Sequence, residues 1–331
     1  MTPEQKIILS GNRPTGRLHL GNYTGALENW VALQKDYRCF FMVADWHVLT
    51  TDYEHTPAIA ENTREMVLDW ISAGIDPEKS VVFVQSHIKE HAELYLLLAM
   101  LISTARLERN PTLKEQVRDL DMDQGEGITY GHLGYPVLQA ADILIYRAHV
   151  VPVGEDQLPH IEITRELARK FNRLYRDVFP VPDGKLTKFA RFPGLDGKRM
   201  SKSLGNTIEL ADSPEDIQQK LKTAFTDPER KRRSDPGRPE VCLIYTYWQK
   251  FAPERSAEIY EGCTSAKLGC VDCKRMVGEA IAAYLAPLRE KRRALEEKPG
   301  AVEAVIREGD ERARHAAVET MRAVREAMNI G

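Results

Sequence analysis

The chain has 331 residues, of which 43% are hydrophobic and 29% are charged, as expected for a globular protein of one large or two smaller domains. Its net charge of −3 argues against a protein that coats nucleic acid through overall charge, although it allows a local basic patch. The N-terminal MTPEQKIILSG has no apolar leader, and the most apolar segment, residues 94–102, is too short to span a bilayer. We therefore expect no membrane association and a cytoplasmic location.

Short apolar runs alternate with helical patterns in the first part of the chain. The strand candidates are residues 7–9, 39–44, 81–84 and 150–153, and the helix candidates between and after them are 26–34, 66–71, 94–102 and 161–171. This alternation predicts an α/β fold with a parallel, Rossmann-like sheet and helices on both faces. Ligands of such sheets bind at the carboxyl ends of the strands.

The pattern changes at about residue 212, after which only helical spacing is found. Apolar residues recur at helical intervals in 276–288 and 317–328, and Pro299-Gly300 separates the two segments. We therefore predict two domains, a Rossmann-like catalytic domain over 1–204 and a helical domain over 205–331.

The first strand candidate runs into PTGRLHLGN at residues 14–22. Gly16 and Gly21 allow close backbone approach where a strand turns into a helix, and a helix N-terminus favours anions. His19 can donate to a phosphate oxygen, and Asn22 can orient it. The alternative is an ordinary strand–helix turn with an incidental histidine. Neither a P-loop nor a dinucleotide fingerprint occurs in the sequence.

A second motif, GKRMSKSLGN at residues 197–206, combines cations and hydroxyls between glycines. Lys198, Arg199 and Lys202 on a mobile loop could hold a polyphosphate while its charge changes. The alternative is a solvated turn.

These two motifs resemble the HIGH-type motif (14–22) and the KMSKS-type loop (199–203) of class I aminoacyl-tRNA synthetases. Between them, AADILIYRAHVVPVGEDQLPHIEITREL (140–167) is similar to the amino-acid-binding region of bacterial tryptophanyl-tRNA synthetases, as are DWHVLT (45–50) and LERNPTLKE (107–115). The resemblance implies that tryptophan is activated with ATP and transferred to tRNA(Trp) by a homodimer. It also implies that the helical domain binds the anticodon.

The chain departs from the family pattern at three positions of these motifs. Arg199 stands in place of lysine, Asn22 in place of a second histidine, and Arg13 in place of a glutamine found in many bacterial members. All three keep charge or hydrogen-bonding capacity, so the departures affect how ATP is held rather than the reaction.

The resemblance implies four catalytic residues, which are His19, Lys114, Arg199 and Lys202. It implies that Mg²⁺ binds with the phosphates and that ATP is held by Arg13, Pro14, Thr15, Gly21, Asn22, Gly154, Glu155, Asp156, Phe192, Arg199, Met200, Ser201, Lys202 and Ser203. During activation, negative charge moves onto the departing pyrophosphate, and a closing cationic loop would stabilise that charge as it develops.

The resemblance assigns substrate choice to Asp142, whose carboxylate would accept the indole N–H of tryptophan. The other residues implied at this site are Leu9, Val151 and Val153 around the ring and Tyr135, Gln157 and His47 near the amino-acid end. The alternative for Asp142 is a surface ion pair at a helix start. A tyrosine-specific relative, a smaller-substrate adenylyltransferase and a protein that kept the fold without charging tRNA are the rival functions.

Two other patterns suggest a metal. His87 to His91 fits the H-x-x-E-H pattern of a zinc peptidase family, but no third ligand is evident. Cys242, Cys263, Cys270 and Cys273 supply four soft ligands suited to a [4Fe–4S] cluster or to zinc, with unligated thiols or disulfides as the further alternative.

The resemblance favours the cluster, because a subset of bacterial tryptophanyl-tRNA synthetases carries one on similarly spaced cysteines. The spacing after Cys242 is about two residues shorter than in that pattern. Cys39 lies apart in a strand candidate and is expected in the core. The basic run 230–233 is either a phosphate contact for tRNA or a solvated segment.

Overall fold

One parallel sheet organises the N-terminal part of the protein. The computed structural model describes residues 5–119, 128–186 and 192–331. The strands lie in the order β3-β2-β1-β4-β5, and they are β1 (Ile7–Asn12), β2 (Arg38–Val43), β3 (Val81–Val84), β4 (Val150–Val153) and β5 (Asp183–Leu186). Every neighbouring pair is parallel. The predicted α/β class with a parallel sheet is confirmed.

Helices connect the strands and then replace them. Those of the sheet region are α1 (Leu20–Asn22), α2 (Glu28–Leu33), α3 (Asp45–Leu49), α4 (Ile59–Ala73), α5 (Glu90–Ala99), α6 (Thr104–Leu107), α7 (Pro111–Asp119), α8 (Tyr130–Leu133), α9 (Tyr135–Ile145) and α10 (Leu158–Leu174). Those that follow are α11 (Pro214–Lys222), α12 (Leu243–Phe251), α13 (Ser256–Thr264), α14 (Cys270–Glu296) and α15 (Ala301–Met328). The predicted change to helices in the C-terminal part is confirmed.

Strand β5 has no counterpart among the predicted strands. Its sequence, DGKL, lacks the apolar run on which the other strands were recognised. It pairs only with β4, so it lies at an edge of the sheet and most of its residues are exposed. An edge strand needs no continuous hydrophobic sequence, because solvent reaches it.

Two hydrophobic clusters cover the two faces of the sheet, and helices from the C-terminal part contribute to both. Helices α12 and α14 pack with Trp30 and Trp70 in one cluster. Helix α15 packs against β3 in the other, where a Cβ atom at Gly309 would lie 1.7 Å from the Val82 carbonyl oxygen. The predicted boundary at residue 204 therefore does not separate two hydrophobic cores.

The longest helices, α14 and α15, have 27 and 28 residues. Both have one buried face and one charged face, which is typical of helices packed on a protein surface. Across residues 5–119, 128–186 and 192–331, no helix is both long and apolar enough to cross a membrane.

Candidate active site

A crevice is expected where β1 and β4 lie side by side. The chain leaves β1 toward β2 on one side, whereas β4 continues to β5 on the other, so the connections diverge at this point of the sheet. Ligands of open parallel sheets bind in such a crevice, outside the carboxyl ends of the strands. Residues 13–19 and 154–157 follow these two strand ends directly.

The first motif folds into a tight turn that presents a neutral histidine. His19 precedes α1, and its Nδ1 accepts the Asn22 backbone N–H at 3.3 Å while the Asn22 side chain accepts the His19 N–H at 3.1 Å. Because Nδ1 is an acceptor, the ring proton resides on Nε2. Burial, together with the charges of Lys202 and Arg199, lowers the pKa of His19 to about 4. At neutral pH, His19 is thus an uncharged donor.

The second motif lies directly on the first. The Lys202 ammonium donates to the Thr15 carbonyl at 2.8 Å, and the Gly21 N–H lies 3.3 Å from the Met200 sulfur. Burial lowers the pKa of Lys202, whereas Glu209 and Asp69 oppose that shift. Two motifs that are far apart in the sequence thus form one site.

Asn206 holds the base of the 199–203 loop in place. Its side-chain oxygen accepts the Ser201 N–H at 2.7 Å, and its amide donates to Asp196 at 2.7 Å and to the Arg199 carbonyl at 3.0 Å. The hydroxyls of Ser201 and Ser203 lie 3.0 Å apart on the exposed side. Asn206 was not among the predicted site residues, and it fixes the backbone from which the loop's cations extend.

The other residues expected at ATP surround this contact or the end of β4. Pro14 is buried, Arg13 donates to the Thr51 hydroxyl at 3.1 Å, and Gly154, Glu155 and Asp156 form the turn after β4. Lys114 is exposed on α7, and the first turn of that helix is bonded to the Asp156 carbonyl through Thr112 at 2.7 Å.

Phe192 lies in the core. Its ring stacks on Tyr247 with 4.9 Å between centroids and meets Phe251 edge-on, and only 6% of the residue is exposed. This placement does not favour the expected contact with adenine. It instead attaches the second motif to α12, and the Tyr247 hydroxyl reinforces the attachment by donating to the Pro193 carbonyl.

Asp142 on α9 is buried, with 1% of the residue exposed, so the surface ion pair considered for it is wrong. One oxygen lies 2.7 Å from His47 Nε2, and the other accepts from Gln85 at 2.8 Å and lies 2.6 Å from His91 Nδ1. Burial acts to raise the pKa of Asp142, but the bonds to His47 and His91 outweigh it and hold the pKa at about 2. The carboxylate is charged, and it retains acceptor capacity for one more donor.

Aromatic and imidazole rings surround Asp142. Tyr135 meets His47 with 4.6 Å and His160 with 5.4 Å between ring centroids. In the part of the chain that the structure describes, His47 Nδ1, His160 Nε2 and the Gln139 side-chain oxygen are buried and have no hydrogen-bond partner. Because buried polar atoms are normally paired, these orphaned atoms indicate a polar ligand.

The predicted apolar wall lies in the same region. Leu9, Val151 and Val153 are buried in the cluster that also contains Ala140 and Ala141 of α9. Gln157 donates to the Asp156 carboxylate at 2.8 Å at the entrance of α10. His160 and Gln139 were not predicted, although His160 lies inside the 140–167 region that carries the family resemblance and Gln139 directly precedes it.

The zinc-peptidase interpretation of residues 87–91 is wrong. His87 Nδ1 lies 2.6 Å from Asp310 of α15, whereas His91 turns to Asp142 and to the Tyr146 hydroxyl at 2.7 Å. The two imidazoles therefore serve different partners. Among the residues that the structure describes, no three histidine, cysteine or acidic side chains are grouped to hold a metal ion.

The four cysteines of the C-terminal part are nevertheless neighbours. Burial raises the pKa of the Cys273 thiol to about 12, and the proximity of Cys242, Cys263 and Cys270 acts in the same direction. All four are free thiols. The indole N–H of Trp248 donates to the Cys273 sulfur at 3.3 Å. Cys39, which lies apart, is buried in β2 as expected.

The sheet and the two converging motifs are those of a class I aminoacyl-tRNA synthetase. The sequence matches the family "tRNA synthetases class I (W and Y)" over residues 2–286. It is 52% identical to the tryptophan–tRNA ligase of Thermotoga maritima, covering 98% of this chain and 99% of that protein. It is 43% identical to the tryptophan–tRNA ligase of Deinococcus radiodurans, covering 98% of each.

A solved structure agrees with these relatives. The fold matches tryptophanyl-tRNA synthetase from Campylobacter jejuni complexed with ADP and tryptophan, with a TM-score of 0.89, 32% identity and coverage of 98% of this chain and 100% of that one. The chain belongs to the tryptophan–tRNA ligases of this class.

Replacing Asp142 with alanine tests the buried carboxylate. Because His47, His91 and Gln85 would lose their common acceptor, Asp142→Ala should lower the free energy of unfolding by about 3–5 kcal/mol, as well as weaken tryptophan binding. Urea unfolding and calorimetric titration with tryptophan measure the two effects. Asp142→Asn, which keeps one acceptor and the shape, should be the more stable variant. Wild-type stability and affinity in the alanine variant would contradict this role.

Proposed function

We propose that the chain activates L-tryptophan with ATP and transfers it to tRNA(Trp). A carboxylate oxygen of tryptophan attacks the α-phosphorus, the bond to the β-phosphate oxygen breaks, and pyrophosphate leaves from tryptophanyl-adenylate. The terminal ribose hydroxyl of the tRNA then attacks the activated carbonyl and releases AMP. Mg²⁺ bound with the ATP phosphates would offset part of their charge.

The observation that carries this proposal is the contact between the two motifs. His19 supplies a neutral N–H, and Lys202 supplies a positive charge that is already docked at Thr15. Activation needs little covalent chemistry from the protein, so preplaced donors and charge around the phosphates account for most of the acceleration. Arg199, Ser201 and Ser203 lie on the same loop, where the departing pyrophosphate would meet them.

The choice of tryptophan rests on the pocket around Asp142. A buried carboxylate with one free acceptor position fits the indole N–H, and the apolar wall fits the ring. An analogue without that donor would leave the carboxylate short of a partner, which typically lowers kcat/KM by about 10⁴ or more. The amino-acid end is proposed to bind near His47, Tyr135 and Gln157, of which His47 is buried with its Nε2 2.7 Å from Asp142.

Lys202→Ala tests the role of the loop. The charge on pyrophosphate develops mainly in the transition state, so the variant should lower single-turnover adenylate formation by about 100-fold or more and leave the tryptophan Kd nearly unchanged.

Lys35→Ala is the control, because Lys35 is an exposed lysine that lies outside both motifs. It should activate tryptophan at close to the wild-type rate. The assigned role of Lys202 is wrong if both variants activate at the wild-type rate, or if Lys202→Ala changes only the tryptophan Kd.

We propose a [4Fe–4S] cluster on the four neighbouring cysteines from the family resemblance, with zinc as the alternative. The four thiols come from the residue before α12, from α13 and from the start of α14, and thiols suit soft metals. As free thiols they would have to move closer together to bind the metal. When bound, such a cluster would brace the junction of these helices. Its distance in sequence from both ATP motifs argues for a structural role.

Iron content and colour test this assignment. Protein purified without oxygen should be brown, absorb broadly near about 400 nm, and contain about four irons per chain. Colourless protein with one bound zinc would establish the alternative. Cys270→Ser should lose the metal and weaken tRNA charging, while tryptophan-dependent pyrophosphate exchange continues in the folded protein. Collapse of exchange would contradict the separation of the two sites.

The helical part is proposed to bind the tRNA anticodon. In the basic run, Arg230 is engaged with protein groups, since it donates to the Leu268 carbonyl at 2.9 Å and to the Cys263 sulfur. Lys231, Arg232 and Arg233 are exposed. The run thus divides into one cation that supports the cysteine region and three exposed cations that would contact phosphates, of which Arg233 lies 3.9 Å from the Asp272 carboxylate.

A homodimer is proposed from the family and from one exposed apolar pair. Leu96 and Met100 lie one turn apart on the outer side of α5 and are 56% and 68% exposed. Two large apolar side chains side by side on the surface favour a protein partner, and a second copy of the chain fits the family pattern. The role in protein synthesis also accords with the expected cytoplasmic location.

A further inference from the structure

Three polar side chains on α4 face three successive residues of the first motif. Asn62, Glu65 and Asp69 lie on one face of α4, at positions i, i+3 and i+7. Opposite them, in the same order, stand residues 16, 17 and 18 of the first motif. We call these three side chains the α4 row.

Each member of the α4 row has its own partner in the motif. The Asn62 side-chain oxygen lies 3.2 Å from where a Cβ would stand at Gly16. Glu65 accepts the Arg17 side chain at 2.7 Å. Asp69 accepts the backbone N–H of Leu18 at 2.7 Å. The last contact is made to the residue that precedes His19.

Arg292 of α14 holds the α4 row from the opposite side. It donates to Glu65 at 2.6 Å, to Glu296 at 3.1 Å and to the second oxygen of Asp69. Arg292 and Asp69 are 3% and 0% exposed, so their charges are fully withdrawn from water. One carboxylate oxygen of Asp69 thus accepts the Leu18 N–H, and the other accepts from the Arg292 guanidinium.

Stability alone does not explain this arrangement. Removing two charges from water is costly, and apolar residues of similar size often replace a buried ion pair without loss of stability. What an apolar pair cannot supply is a fixed acceptor for the Leu18 N–H. Without Asp69, the Leu18 N–H would be buried and unpaired, and the backbone that leads into His19 would keep only its bonds to residues 208 and 210.

We infer that Asp69 is a positioning residue for tryptophan activation, which sets the place of His19 through the Leu18 N–H, and that Arg292 fixes the Asp69 carboxylate for this purpose. The inference rests on the proposed reaction, because His19 acts there on ATP. Small displacements of a reacting group lower rates strongly, by up to about 100-fold for 1 Å.

Two double variants separate the acceptor from the ion pair. Asp69→Asn with Arg292→Met removes both charges and keeps an acceptor for Leu18, whereas Asp69→Leu with Arg292→Met removes the acceptor as well. Arg17 still pairs with Glu65 in both. The readouts are pyrophosphate exchange, giving kcat and the KM for ATP, and the tryptophan Kd, which reports the folded pocket around Asp142 on the other face of the sheet.

The Asn variant should keep exchange within a few-fold of wild type. The Leu variant should lose between about tenfold and a hundredfold in kcat/KM for ATP, with an unchanged tryptophan Kd. Equal exchange in the two variants, or a parallel loss of exchange and tryptophan binding in a soluble Leu variant, would overturn the inference.

If the Leu variant does not fold, Asp69→Glu gives the same comparison, since it keeps the charge and displaces the acceptor. It should lower exchange without changing the tryptophan Kd, and wild-type exchange would overturn the inference. Wild-type protein without tryptophan-dependent exchange would instead refute the proposed function, so the two failures are distinguishable.

Discussion

The hydrogen bond from the Lys202 ammonium to the Thr15 carbonyl joins two loops that are 187 residues apart, and much of the structure serves to make it possible. A Cβ atom at Gly16 would lie 3.1 Å from that ammonium, and the positive φ of +97° there is itself a conformation that favours glycine. Met200 packs on Gly21 beside it. The sheet supplies one loop and the helical part carries the other, through Phe192 and Tyr247.

The amino-acid pocket follows a different physical principle. The nucleotide loops keep exposed cations on a glycine-bounded segment, whereas Asp142 is buried and engaged by three side chains. Mobile charge suits a group whose charge changes during the reaction, and a fixed, desolvated carboxylate suits discrimination between substrates. The same sheet supports the nucleotide loops and the amino-acid pocket, because β1 ends at the boundary between these two regions.

The features that could be predicted from the sequence are those that depend on local sequence patterns. Strands β1 to β4 have apolar runs, and both motifs lie in glycine-bounded segments whose composition suits phosphate. Strand β5 was missed because an edge strand needs no such run. Two partners of Asp142 were missed for another reason, since Gln85 and His91 are 57 and 51 residues away. No local pattern marks Gln85, and the pattern that includes His91 suggested zinc.

The positions of some residues depend on tertiary packing, which sequence composition does not reveal. Phe192 lies just before the second motif, yet the ring belongs to the core. Helix α15 was assigned to a separate domain because only helical spacing is found after about residue 212, but Gly309 lets it approach β3 and Asp310 accepts the Val84 N–H at 3.0 Å. Sequence periodicity does not predict such long-range contacts. It indicates which face of a helix is buried, but not which element packs against that face.

We propose that the Asp142 pocket and the docked loops together activate tryptophan. The decisive measurement is amino-acid-dependent pyrophosphate exchange by the purified protein, compared at equal concentrations of tryptophan, tyrosine and phenylalanine. Exchange should occur with tryptophan, and kcat/KM should be lower by about 10⁴ or more for phenylalanine, which has no polar donor on its ring, with tyrosine also strongly disfavoured. Exchange with tyrosine at a rate comparable to that with tryptophan, or no exchange with any of the three, would contradict it.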